Sequence, residues 1–113
     1  MTDEIKEAID QLIYPLAGSW REFAVVTGST LVSFDTENFN RMRVKVKRGY
    51  CSNKAQMFDL YVDARDLYCV DFLNRKGEVI DRIDGVYFDE LERVFREHTA
   101  MQTRMPKVFA SLL

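Results

Sequence analysis

Residues 41–48 read Arg-Met-Arg-Val-Lys-Val-Lys-Arg, and no other stretch restricts the fold so tightly. Met42, Val44 and Val46 fall on one side of a period of two, with Arg41, Arg43, Lys45 and Lys47 on the other. A helix would mix the two sets around its circumference. An extended chain separates them, because successive side chains leave opposite faces of a strand. The segment is therefore expected as a half-buried strand, apolar row inward and cationic row to water. A sheet with one wetted face is antiparallel, and helices must cover its dry face.

The neighbouring segments supply that sheet. Glu22–Thr27 and Thr30–Phe34 are rich in β-branched and aromatic residues and are expected as two strands joined by a Gly28-Ser29 hairpin turn. Gln56–Val62 and Leu67–Leu73 are apolar on both faces and are expected as central strands. Asn74-Arg75-Lys76-Gly77 reads as a tight hairpin loop into a strand over Glu78–Ile83. Helical spacing appears at both ends. Ile5, Ala8, Ile9, Leu12 and Ile13 make one apolar face of a helix over 3–14, capped by Thr2 or Asp3 and closed by Pro15. Phe88, Leu91, Val94, Phe95 and His98 make another, and Pro106–Leu112 reads as a last short helix with proline in its first turn. The expected fold is α+β in one domain over 1–113: an N-terminal helix, an antiparallel sheet of five to six strands, and two C-terminal helices packed on one face.

Composition narrows the class. The 113 residues are 47% apolar and 30% charged with 5 Gly and 2 Pro, which excludes collagen-like and disordered chains. No apolar run reaches the roughly 20 residues that span a bilayer. The acidic start, MTDEIKEAID, lacks the basic-then-apolar layout of a secretory signal. Two cysteines, Cys51 and Cys69, make no disulfide framework or zinc motif, so the expected home is a reducing cytoplasm without cofactor, metal or membrane. The formal charge of −2 conceals a division. Residues 41–48 carry five cations and no acid, and residues 59–97 carry eleven acids against six basic residues. Such segregation marks a surface for a charged partner. Four cations in a row also protect an edge strand from aggregation, so residues 41–48 are expected at the sheet edge.

Candidate chemistry is sparse. His98 is the only histidine and is read as a helix-end residue, and Cys51 and Cys69 as ordinary thiols. Asp59, Asp71 and Asp81 are placed by strand alternation on one sheet face, as a solvated acidic surface with Lys or Arg partners. The Arg41, Arg43, Lys45, Lys47 row, with Tyr50 just beyond, is long enough to follow several phosphates.

Residues 60–82, LYVDARDLYCVDFLNRKGEVIDR, resemble the central hairpin of ribosome-inactivating proteins, the RNA N-glycosidases of the Shiga-toxin and ricin type. Asp66, Leu67, Tyr68, Val70 and Phe72 occupy the positions of that family's aromatic strand, and Asn74-Arg75 follows as in the bacterial toxins. Gly85-Val86-Tyr87-Phe88-Asp89-Glu90-Leu91 is similar to the segment that opens the family's next helix. The resemblance implies that Tyr87 stacks on a target adenine; Glu90 and Arg93, one helical turn apart, are the carboxylate and arginine that an N-glycosidase-like reading would use, at a spacing also common for surface salt bridges. Asp71 stands where the family has glycine, and the family's second stacking tyrosine, tryptophan and glutamate–arginine helix have no counterpart in these residues.

The reading that follows is a small, non-catalytic interaction protein of inhibitor or immunity type, bound to a macromolecular partner. Its expected contact residues are the charged sheet edge (Arg41, Arg43, Lys45, Lys47) and the apolar C-terminal residues Met101, Met105 and Phe109. The partner is expected to be a protein, with RNA as the alternative through the basic stripe and a homodimer through the apolar tail. A minimal or degenerate RNA N-glycosidase is the rival reading.

Overall fold

A computed structural model describes residues 2–105. The chain runs α1 (Asp3–Ile13), α2 (Trp20–Thr27), β1 (Thr30–Phe34), β2 (Arg41–Lys45), β3 (Met57–Val62), β4 (Tyr68–Leu73), β5 (Val79–Val86) and α3 (Leu91–Thr99). The strands form one antiparallel sheet in the order β1-β2-β3-β4-β5. The α+β class and antiparallel sheet agree with the sequence reading. The expected helix over Pro106–Leu112 lies outside the described residues.

One expected strand is a helix. Glu22–Thr27 belongs to α2, so the sheet has five strands. The cause is local and strong. Ser19 caps α2 by accepting a hydrogen bond from the Glu22 N–H at 3.1 Å, and the Glu22 carboxylate accepts one from the Gly18 N–H at 2.8 Å. Phe23 and Thr27, one turn apart, bury on the same side. Gly28 ends the helix with φ +69°, donating its N–H to the Ala24 carbonyl. The glycine read as a hairpin turn is thus a helix C-cap, a conformation glycine adopts without a Cβ penalty.

α1 matches its expected capping, with Thr2 accepting from the Ile5 N–H at 3.2 Å and Asp3 and Glu4 at the positive end of the helix dipole. The turn between β4 and β5 is held by the Asn74 carboxamide oxygen, which accepts from the Lys76 and Glu78 N–H groups at 2.9 Å. α3 buries Leu91, Phe95 and Thr99, whereas Phe88, expected on the same apolar face, precedes the helix and is 62% exposed.

All three helices pack on one face of the sheet. Phe58 of β3 is the hub of the core. Its ring centroid lies 6.0 Å from Phe23 of α2, 5.3 Å from Phe95 of α3 and 6.3 Å from Phe72 of β4, and all four rings are fully buried. Met42, Val44, Leu60, Val70 and Ile83 complete the sheet's contribution. Residues 101–105 then strap α3 to α1 and α2. Met101 enters the core, the Thr103 hydroxyl donates to the Leu16 carbonyl, and the Met105 N–H donates to the Glu22 carboxylate at 2.8 Å.

Candidate functional site

Strand alternation turns the remaining side chains to the opposite face, which no described helix covers. The register arranges them in rows across the strands. Ser33, Arg43, Asp59, Asp71 and Arg82 form the middle row, from β1 to β5. Lys45, Met57, Leu73 and Val79 form the row on one side, and Arg41, Tyr61 and Cys69 the row on the other.

The middle row is wired together. Arg43 grips Asp59 with two parallel hydrogen bonds, Nε to Oδ1 at 2.7 Å and Nη2 to Oδ2 at 3.0 Å. Arg41 adds a third to Asp59 Oδ2 at 2.9 Å and lies 3.8 Å from Asp71. Asp71 Oδ1 accepts from Arg82 Nε at 2.9 Å and from the Tyr61 hydroxyl at 3.2 Å. The Arg41 guanidinium also sits 4.4 Å from the centre of the Tyr61 ring. Bidentate pairing of this kind fixes a guanidinium plane as well as holding it.

Exposure divides the network into two layers. The Asp59 and Asp71 side chains are only 4% and 10% exposed, while Arg41, Arg43 and Arg82 are 47%, 40% and 54% exposed. The carboxylates are therefore covered by the arginines they bind, and water meets guanidinium. Burial pushes the Asp59 carboxyl up, but the hydrogen bonds and charges of Arg43 and Arg41 outweigh it and hold the group below the usual carboxylate range. Hydrogen bonding to Asp59 raises Arg43, and hydrogen bonding to Asp71 raises Arg82, above the ordinary arginine value. A depression of about 230 Å³ lies beside Arg41 and Arg43, walled by Ser33, Phe34, Asp35 and Asp59.

Three expectations about this region change. Residues 41–45 are not an edge strand, because β2 lies between β1 and β3. Arg41 and Arg43 are ion-paired, whereas Lys45 is exposed. Lys47 lies beyond the strand, with its ammonium 5.2 Å from the centre of the Tyr50 ring. Asp81 does not share a face with Asp59 and Asp71. The register sets Asp71 opposite Arg82, which turns Asp81 to the helical side. There its Oδ2 lies 2.7 Å from His98 Nδ1 and accepts from Asn53 Nδ2 at 3.1 Å. His98 stacks on Phe72 with centroids 5.8 Å apart, so the lone histidine pins α3 to β5.

The residues implied by the ribosome-inactivating resemblance do not assemble into a cleft. Tyr87 is 65% exposed. Glu90 and Arg93 pair with each other at 3.5 Å on the helix surface, and Arg93 bonds Glu97 at 2.8 Å. Of the apolar candidates, Met101 is buried against Cys51, with sulfur atoms 3.2 Å apart; Met105 is half-buried; and Phe109 lies outside the described residues. Burial pushes the Cys51 thiol up to about 11 and also raises Cys69, so neither is an activated nucleophile. No family model, no curated protein and no solved structure matches this chain.

Sequence reasoning missed Arg82 and Tyr61. A signal was present for Tyr61 alone: a hairpin folded about Arg65 puts 71 opposite 59 and 69 opposite 61. Arg82 was hidden, because the β4–β5 turn pairs Leu73 with Val79 and a register shift between Phe72 and Leu73 then sets Asp71 opposite Arg82 instead of Asp81.

Proposed function

We propose that the protein is a non-catalytic interaction module that docks a macromolecular partner on the open face of its sheet. The observation that carries this reading is the layered network. Arg43 is held in a fixed plane by two parallel hydrogen bonds to Asp59, and Arg41 and Arg82 are each tethered by one hydrogen bond to a carboxylate beneath, so ordered donors face water. Docking surfaces work best when their side chains are already ordered, since each long side chain immobilised on binding costs about 0.5–1.5 kcal/mol. Arginine is also the charged residue most enriched at protein interfaces. The network contributes little to stability that an apolar cover would not match, because the cost of taking the buried carboxylates out of water offsets most of the attraction of the arginines that cover them.

The proposed contact surface differs from the sequence reading in two respects. The charged surface is the sheet's broad face rather than its edge, and Met101 is spent in the core. A depurinating enzyme receives less support. Its expected pair, Glu90 and Arg93, is engaged side by side on a helix, and Tyr87 stands in the open.

Affinity purification from the native cell extract tests the reading. The wild-type chain should retain a stoichiometric partner, and an Arg43→Glu/Arg82→Glu variant of native spectrum should lose it. Equal retention by both chains would refute the open face as the docking surface.

A further inference from the structure

The open face carries enough chemistry to describe its occupant. The charged groups in the outer layer of the middle rows are all cationic, since Arg41, Arg43 and Arg82 cover the two acids they bind, and Ser33 is an exposed neutral residue at the β1 end. Arg43 and Arg82 stand three strand spacings apart, roughly 14 Å. Beside them, the adjacent row offers apolar contact, with Met57 half-buried and Val79 48% exposed, next to the exposed Lys45. A second copy laid face to face would set arginine against arginine, which a self-complementary two-fold contact cannot tolerate.

Resting on the reading above, we infer that the open face receives an acidic protein surface whose carboxylates take the outward N–H groups of Arg41, Arg43 and Arg82 while an apolar side chain settles against Met57 and Val79. Charge complementarity sets the sign of the partner. The apolar row favours protein over nucleic acid, because a phosphate backbone has no use for it. A further observation points the same way. Tyr61, the aromatic ring in these rows, is covered by Arg41 and gives a base no free plane on which to stack.

The test is a titration of the isotopically labelled full chain, followed through its arginine Nε–H and methyl resonances. Three synthetic probes are compared: a peptide alternating Glu and Leu, an all-Glu peptide, and a polyuridylate of matched charge. The Glu/Leu peptide should shift Arg41, Arg43, Arg82 and the Met57 and Val79 methyls, and bind about tenfold more tightly than the all-Glu peptide. Arg43→Gln/Arg82→Gln should weaken it about tenfold or more. Lys45→Glu, an exposed position, should weaken it in the same direction and keeps the test decisive if the double variant unfolds. Tighter binding of polyuridylate at the same resonances would overturn the acidic-protein assignment while leaving a docking face intact. Silence of the open-face resonances towards every probe would overturn it too, and the extract experiment would then decide separately whether the face docks anything.

Discussion

Phe58 and Asp59 are neighbours on one strand and are almost equally buried, at 0% and 3% exposure, yet they are covered by different means. Phe58 lies under Phe23 and Phe95, which two helices bring to it. Asp59 lies under the arms of Arg41 and Arg43, which rise from the adjacent strand of the same sheet. On the helical face, burial removes apolar surface from water and is the main source of stability. On the open face, burial takes a charge out of water and must be offset by the charges that cover it. Equal exposure values therefore conceal opposite energetics. One face is built to hold the chain together, and the other to hold guanidinium groups still.

Substitutions that treat the two faces alike should separate them. The largest loss is expected for Phe58→Ala, which opens a cavity at the meeting point of four phenylalanines and should cost about 3–5 kcal/mol in denaturant unfolding. Asp59→Ala should cost less, about 1–3 kcal/mol, because the stranded guanidiniums of Arg41 and Arg43 still reach water. Added salt should shrink the second loss and leave the first unchanged. A loss for Asp59→Ala as large as that for Phe58→Ala would make the ion pairs part of the structural core.

Both faces respond to acid. Asp59 on the open face and Asp81 on the helical face both sit below the ordinary carboxylate value of 3.8. In each, burial pushes the group up and hydrogen bonds outweigh it, from Arg43 and Arg41 in one case and from His98 and Asn53 in the other. A depressed carboxyl stabilises the fold above its unfolded value, and that contribution is lost as pH falls through the folded value. Stability should hold near neutrality and decline below about pH 4. Asp59→Asn should flatten part of that decline, as read from unfolding midpoints across pH. The smallest effect is expected for Arg43→Met/Asp59→Leu, which replaces an ion pair by apolar groups and should change stability by less than about 1 kcal/mol.

Much of the helical face was legible in the sequence. Met42 and Val44 announce their direction by alternation, and the spacing of Ile9, Leu12 and Ile13 announces α1. The failure at Glu22–Thr27 has a definite reason. β-Branched and aromatic residues favour strands only weakly, and a Ser19–Glu22 cap with a Gly28 stop outweighed them. The open face was half legible. The cationic row stands out in residues 41–48, but its partners lie on other strands, and only pairing register brings Asp59, Asp71 and Arg82 to it. Register depends on where each turn is centred, which composition does not carry. His98 was similarly opaque, because its carboxylate partner Asp81 lies across the β5–α3 connection.

The proposed docking on the open face, and not on the helical surface, can be read by arginine footprinting with mass spectrometry, on the full chain alone and returned to its native cell extract. Arg41, Arg43 and Arg82 should lose reactivity in the extract while Arg93 and Arg96 on α3 keep theirs. Unchanged reactivity at the three open-face arginines, or protection confined to α3, would refute docking on this face.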